Sequence, residues 1–321
     1  MDADVAVVVP TYNRLDYLPI TLEAILNQTE PPCEVVVVDD GGTADLAPLR
    51  ERFAGRVKFL RVPNGGPSLA RNAGIITTSS PWVALCDDDD FWKPTHLETL
   101  RRATQTYPTA EFLFTNFAHV VEGVWAEITK FDQAPAGYWS RATETAGPHR
   151  YYASGFYEEA LGYQPIFPSA SFFRRSLFDR VGGYTPALSR LRCEDWEFTL
   201  KAIDGTPVLA ISDATVGIRK HAGNFSGCTQ EVVQAQVMIL QYALAHHPGA
   251  AAYRNVVEAE IASRSRDAAE LAFTNGQFAT ALAMLKNVPP SYWHARLRAK
   301  SLIAGLPGPV ARLLKKLVTR E

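Results

Sequence analysis

Three runs of apolar, mostly β-branched residues each stop at a polar or acidic loop, and this repetition constrains the fold more than any other feature. Residues 5–10 stop at Thr11-Tyr12-Asn13-Arg14. Residues 35–38 stop at Asp39-Asp40-Gly41-Gly42. Residues 82–86 stop at Asp87-Asp88-Asp89-Asp90. Unbroken runs of this kind are strands buried on both faces, as in parallel sheets. Between the first two, Leu15, Leu18, Leu22, Ile25 and Leu26 recur at helical spacing. Asp16 is the expected cap, Pro19 suits the first turn, and Pro31-Pro32 stop the helix. A helix over 45–53, a strand over 57–62, a turn at Asn64-Gly65-Gly66-Pro67 and a helix capped by Ser68 follow. The order βαβαβαβ predicts a doubly wound α/β sheet. Ligands of such sheets sit outside the carboxyl ends of the strands, so the loops at 11–14, 39–42 and 87–90 should face one crevice.

Four consecutive carboxylates repel one another, and stability alone would not select them. Two readings stand at this point. The run is a solvated acidic loop, or it holds a hard divalent cation through oxygen ligands.

Composition narrows the classes. The chain has 321 residues, 47% of them hydrophobic, enough for one large domain or two ordinary ones. A net charge of −2 argues against a nucleic-acid partner. Cys33, Cys86, Cys193 and Cys228 have no CxxC spacing and read as buried thiols. The acidic start, Met1-Asp2-Ala3-Asp4, lacks a basic n-region, so no signal peptide is expected, and no apolar run is long enough for a bilayer span. A cytoplasmic location is the expectation.

Further on, Pro94 opens a helix over 95–106 and a strand covers 111–117. The pattern then loosens over 118–164, where Trp125, Phe131, Tyr138, Trp139, Tyr151, Tyr152, Phe156, Tyr157 and Tyr163 crowd together. These rings are either core or an acceptor-binding face. A strand-like stretch at 168–173, a helix over 174–181 ended by Gly182-Gly183, a helix opening at Cys193-Glu194-Asp195-Trp196-Glu197, and strands over 208–212 and 216–221 lead to a polar loop, Gly223-Asn224-Phe225-Ser226. From 229 the chain reads as helical, dividing it into 1–228 and 229–321. Helices cover 230–246 and 254–274, and the step through Gly276 into 281–285 resembles one tetratricopeptide-type hairpin. Residues 290–321 carry seven Lys or Arg and one acid, and 313–318 reads as a short basic amphipathic helix. It is either solvated or a peripheral contact with an anionic membrane, which would be the inner face.

Five motifs in order resemble family 2 glycosyltransferases: Val-Val-Val-Pro-Thr-Tyr-Asn-Arg (7–14), Val-Val-Val-Asp-Asp-Gly-Gly-Thr (36–43), Asn-Gly-Gly-Pro-Ser-Leu-Ala-Arg-Asn-Ala-Gly (64–74), Ala-Leu-Cys-Asp-Asp-Asp-Asp-Phe-Trp-Lys-Pro (84–94), and Arg-Arg-Ser-Leu-Phe-Asp-Arg-Val-Gly-Gly-Tyr (174–184) with Glu-Asp-Trp-Glu (194–197). The likeness covers about the first 225 residues. It implies a GT-A type, Rossmann-like mixed sheet flanked by helices, here with a C-terminal α-helical extension. It also implies inverting transfer from a nucleotide-sugar donor, with a UDP-sugar the first choice, and a divalent metal, Mn2+ or Mg2+. Pro10, Thr11, Tyr12 and Arg14 would line the donor site, with Tyr12 against the base and Asp39 hydrogen-bonding it. Gly42 departs from the family's usual serine. Arg71 would lie near the ribose or diphosphate, where its alternative is a pairing with a surface acid. The acidic run matches an Asp-x-Asp-Asp motif, with Asp87 near the ribose, Asp88 at the variable place and Asp89 as metal ligand. His221 would add a metal or diphosphate contact. Asp195 matches the catalytic base, on an element apart from the metal so that the cation does not blunt it. Glu194 and Trp196 would lie on the acceptor side, although Trp196 reads more readily as a core residue than as an acceptor platform. Glu194-Asp195 has a plainer alternative as helix-start capping.

The acceptor would be a saccharide, a lipid-linked sugar or a small molecule, and an oligomer is compatible with the sequence. Competing functions are a nucleotidyltransferase, against which the absence of a glycine-rich first loop counts, and a non-catalytic binding scaffold.

Overall fold

The computed structural model describes residues 4–221 and 229–318. Met1-Asp2-Ala3, the loop Gly223-Asn224-Phe225-Ser226 and Cys228 lie outside the described residues. The chain divides into two compact units, Met1–Arg190 with Glu194–Asn224, and Leu191–Cys193 with Phe225–Glu321.

The first unit begins as the apolar runs predict. β1 (Val5–Thr11), β2 (Glu34–Asp39), β3 (Lys58–Arg61) and β4 (Trp82–Leu85) alternate with α1 (Leu18–Leu26), α2 (Ala47–Arg52) and α3 (Pro67–Ile76). These four strands are parallel to one another in the order β3-β2-β1-β4. After them come β5 (Phe91–Trp92), α4 (His96–Thr106), β6 (Phe112–Val121), β7 (Val124–Trp125), β8 (Glu144–Ala146), β9 (His149–Tyr152), α5 (Tyr157–Gly162), β10 (Ser171–Arg174), α6 (Arg175–Val181), α7 (Glu194–Ile203) and β11 (Val208–Lys220).

The sheet continues β4-β10-β6-β11-β9-β8. β10 is antiparallel to both β4 and β6, so the sheet is mixed rather than uniformly doubly wound. The two strands expected at 208–212 and 216–221 are one strand, because β11 passes Asp213-Ala214-Thr215 through register shifts against β6 without leaving the ladder. β1, β2 and β4 are buried almost end to end, and the core forms where α1, α2 and α4 cover them.

Two expected caps are corrected. α1 starts after Tyr17 with no side-chain cap, leaving Asp16 exposed. α3 starts after Gly66, and Ser68 is already inside the helix behind Pro67. Gly66 is required there, since φ is 93° and a Cβ would lie 2.4 Å from the Ser189 carbonyl oxygen.

The loosely patterned stretch places some of its rings in a core cluster and leaves the others half-buried. Phe131, Trp139 and Phe156 pack ring on ring, with Tyr138 edge-on to Trp139 and Phe156. Phe131, Tyr152, Phe156 and Tyr157 are buried. Trp125, Tyr138, Trp139, Tyr151 and Tyr163 are half-buried, and Lys93 Nζ lies 4.9 Å from the Trp125 ring beside a cavity of about 540 Å³. Of the thiols, Cys86 is buried as expected, whereas Cys33 is exposed.

The second unit holds α8 (Gln230–His246), α9 (Arg254–Thr274), α10 (Phe278–Leu285), α11 (Ala295–Ala304) and α12 (Gly308–Val318). Thr229 caps α8 by accepting a hydrogen bond from Val232 N. Small residues, Ala272, Ala281, Ala304 and Ala311, let α9 to α12 approach around Phe273 and Phe278. Among the described residues no helix is long and apolar enough to cross a membrane.

Candidate active site

The four acids are not equivalent. α1 holds their backbone, with Thr21 Oγ1 donating to the carbonyl oxygens of Asp88 and Asp90, both at 3.0 Å. From the other side Asp87 N donates to Ser169 Oγ at 2.9 Å. Asp88 turns inward and accepts from Thr11 Oγ1 at 2.6 Å and Arg14 Nη1 at 3.2 Å. Burial pushes its carboxyl up to about 7 against the pull of both donors. Asp90 also turns inward, to the Ser169 hydroxyl and to Arg219 N at 3.1 Å, and burial with repulsion from Asp89 pushes it up. Asp89 accepts from Arg14 Nη1 at 2.6 Å, and its Oδ2 lies 3.0 Å from His221 Nε2. Asp87 is the most open, its side chain 32% exposed. A solvated acidic loop is excluded, since Asp88, Asp89 and Asp90 are buried.

β11 delivers His221. Arg219, two residues earlier, donates from Nε to the Asp89 carbonyl at 2.7 Å and stacks over Phe91 and Tyr17. The end of β11 is thereby clamped to the acid loop. Asp89 and His221 offer one carboxylate oxygen and one imidazole nitrogen at a single point. No group of three or more His, Cys, Asp or Glu side chains suited to a metal occurs among the described residues. Divalent ions of the magnesium type are commonly held by one or two protein ligands, with phosphate and water oxygens completing the shell. The Asp89–His221 pair fits that pattern, and Mn2+ accepts the imidazole more readily than Mg2+.

α3 and α7 meet across Arg71. Its buried guanidinium donates from Nη2 to Asp87 Oδ1 and from Nη1 to Glu194 Oε1, each at 2.7 Å. Asp195 follows Glu194 at the start of α7, after Cys193 in a left-handed conformation, φ 60°. A non-glycine residue held there is uncommon. Burial pushes the Asp195 carboxyl up, with Arg71 pulling it down and Asp87 adding to the rise. Glu194 is pushed up to about 7 by burial and by Asp195, although Arg71 pairs with it. One cation thus faces three carboxylates, and the titrations of Glu194 and Asp195 are linked.

The loops beside β1 and β2 interlock. Asn13, at φ 56°, accepts on Oδ1 from Thr43 N at 2.6 Å and Ala44 N at 3.0 Å. Asp39 Oδ1 accepts from Gly42 N at 2.8 Å, and Oδ2 lies 3.4 Å from Arg61 Nε. A Cβ on Gly42 would meet Asn13 Oδ1 at 2.6 Å. Asn13 therefore fills the space a serine would need. Gly42→Ser is expected to cost about 1–3 kcal/mol through that overlap, read as a lower urea midpoint. Asp40 accepts from the N–H groups of Gly65 and Gly66, both at 2.8 Å, and so fixes the turn that starts α3 and aims Arg71.

Thr11, Arg14, Asp88, Asp89 and His221 form one contact network, next to buried Pro10. Arg71, Asp87 and Glu194 form a second that shares the acid loop. Asp39 belongs to the interlocked loops, and Tyr12 stands 51% exposed, not in the core. Arg71 takes the acid pairing rather than an open place. Glu194 and Trp196, expected on the acceptor side, lie inside the fold. Both are buried, Glu194 on Arg71 and Trp196 donating from Nε1 to the Ala160 carbonyl at 3.0 Å. Asp195 alone of the three is partly open. Sequence reasoning missed Asn13, Asp40, Ser169, Thr21 and Arg219 as organisers. For Asn13 and Asp40 the signal was there, a polar side chain directly after a buried strand.

The model of glycosyl transferase family 2 matches residues 6–182, just over half the chain. An uncharacterized glycosyltransferase of Bacillus subtilis, YwdF, is 29% identical over 215 residues, 66% of this chain and 72% of its own length. The putative teichuronic acid biosynthesis glycosyltransferase TuaG of the same organism is 31% identical over 135 residues, 41% of this chain and 53% of TuaG. The solved structure of residues 1–349 of S. aureus TarS in complex with UDP-GlcNAc superposes with a TM-score of 0.67 at 19% identity, over 99% of this chain and 93% of that one. That likeness is one of fold, a mixed sheet flanked by helices of the GT-A type.

Proposed function

The chain belongs to glycosyl transferase family 2 and is a glycosyltransferase, and from that premise we propose that it moves a sugar from a nucleoside-diphosphate donor to an acceptor hydroxyl by direct displacement with inversion. The observation that carries the reading is the double ion pair of Arg71. It ties Asp87 of the acid loop to Glu194, and so seats the neighbouring Asp195 against the loop where the diphosphate would lie. A UDP-sugar remains the first choice of donor. The TarS structure of the same fold was solved with UDP-GlcNAc, which supports it.

In this reading exposed Tyr12 stacks on the base, and Asp39 and Thr11 line the pocket. Arg14 meets the phosphates with positive charge where it now meets Asp89. Asp89 and His221 hold a divalent cation. When bound, that cation supplies Lewis-acid stabilisation of the departing diphosphate. Asp195 accepts the proton of the acceptor hydroxyl as its oxygen bonds to the anomeric carbon. The bond from that carbon to the diphosphate oxygen breaks, and the electron pair leaves with the nucleotide. A carboxyl raised by burial is a stronger base than a solvated aspartate, which suits it to this step. Every acid of the set is in place, which favours an enzyme over a binding scaffold.

Calorimetry with UDP and manganese tests the cation site. Asp89→Ala is expected to weaken manganese-dependent UDP binding about tenfold or more, while binding without metal changes little. Equal manganese-dependent affinity in the variant would remove Asp89 from the metal role.

A further inference from the structure

The helical unit carries an apolar stripe that is exposed among the described residues. Leu302 of α11 is 74% exposed, and Leu313 and Leu317 of α12 are 70% and 78% exposed. Leu306 in the connection and Val310 in α12 are exposed as well. Val310, Leu313 and Leu317 recur at helical spacing of three and four, so they share one face of α12. The opposite face holds buried Ala311 and packs on the Phe273–Phe278 cluster. α12 is thus amphipathic in the reverse sense to an ordinary surface helix, with the smaller apolar residue inward and the leucines outward.

A second observation lies beside the stripe. Arg312, Lys315 and Lys316 line an open cavity of about 420 Å³ with Asn275 and Gly276 at the end of α9. Lys315 Nζ donates to the Thr274 carbonyl at 2.6 Å and so closes the last turn of α9. Arg312 and Lys316 lie along one flank of the leucine face. No acidic residue occurs anywhere from 290 to 320, so nothing in this stretch of sequence balances the cations.

We infer that α12 and the end of α11 are a docking surface for an anionic phospholipid bilayer. The leucines enter the headgroup–acyl boundary, and Arg312 and Lys316 meet lipid phosphates. A second copy of the chain is the poorer occupant, because pairing two such stripes would set like charges against like. A free soluble anion would leave the stripe uncovered. The inference rests on α11 and α12 alone and not on the transfer reaction, so the two stand or fall separately.

Sedimentation of the full chain with vesicles tests it. The protein is expected to pellet with vesicles of phosphatidylglycerol and phosphatidylcholine and to stay in solution with phosphatidylcholine alone. Raised salt should release it, as should saturation of the vesicle charge by a basic peptide. The double variant Leu313→Glu, Leu317→Glu should abolish pelleting. Arg312→Ala with Lys316→Ala should lower the partition coefficient about tenfold or more, at roughly one kcal/mol per surface cation. All four side chains are on the surface, so an unchanged thermal midpoint confirms folding. Four results would overturn the inference, and three of them are no pelleting with anionic vesicles, equal pelleting with zwitterionic ones, and a concentration-dependent dimer in light scattering that the leucine variants dissolve. If inorganic phosphate alone displaces the protein at millimolar level without a matching effect of sulfate, the cavity is a phosphate site and the bilayer is not its partner.

Discussion

Asp195→Asn is expected to bind UDP and manganese as the unaltered protein does and to transfer sugar about 10²–10⁴-fold more slowly, the usual contribution of a positioned general base. The substitution keeps the size of the side chain and removes only its ability to take a proton. Calorimetry for binding and single-turnover assays for transfer separate the two effects, and normal turnover would end the assignment. The pH profile gives a second readout. The ionised carboxyl is the active form, and burial raises its pKa, so kcat/KM should fall on the acid side at a pH above the ~3.9 of a solvated aspartate. Because Glu194 titrates beside it, the limb belongs to the pair.

Arg71→Met should have the largest effect on stability. It removes the guanidinium that faces Asp87, Glu194 and Asp195 and leaves the buried Glu194 carboxylate without its partner, a change that costs about 3–5 kcal/mol at a buried ion pair. Transfer should be lost with it, since the link between the acid loop and α7 goes too. The sign of the pH dependence follows from Glu194. Its folded value of about 7 lies above the ~4.3 of an unfolded chain, so between these values the native state holds a proton that the unfolded state has released. Stability from this group is therefore greatest at low pH and declines as pH rises toward 7. Without Arg71 the folded value climbs further, so the variant's deficit should be larger at pH 8 than at pH 5. Urea unfolding at both values measures this. An equal deficit would mean lost packing against Tyr184 rather than lost charge is the cause.

The nucleotide half of the fold was legible because local sequence dictates it. Runs such as Val35-Val36-Val37-Val38 admit little besides a buried strand, and each is followed by its own helix. What failed was local chemistry overruled by packing. Ser68 is a good cap in isolation, yet Pro67 is placed at the first helical position by Gly66, whose backbone lies against Ser189, more than a hundred residues later. β11 appeared as two strands because Asp213 and Thr215 interrupt the apolar pattern, whereas its long ladder with β6 tolerates the bulges. The ring cluster around Phe156 has no period to read, since its members come from separate turns and meet only in space.

The acid run showed a similar limit. Its place at a strand end was visible, but which acid faces inward depends on Thr11, Ser169 and Arg219, partners scattered over two hundred residues. Arg71 looked as able to serve a phosphate as an acid. Its pairing with Glu194 comes from α7, more than a hundred residues later, and no local pattern announces it.

The antiparallel seat of β10 has a consequence for synthesis. β4 pairs with β1 on one edge and with β10 on the other, and β10 is encoded far downstream. A ribosome adding roughly 5–20 residues per second needs on the order of ten seconds to reach Ser171 after Leu85. Through that interval the nascent chain carries a parallel four-stranded sheet whose wholly apolar outer strand has an unpaired edge, the kind that recruits other strands. The apolar edge that β10 finally covers thus stays open until the downstream residues are made.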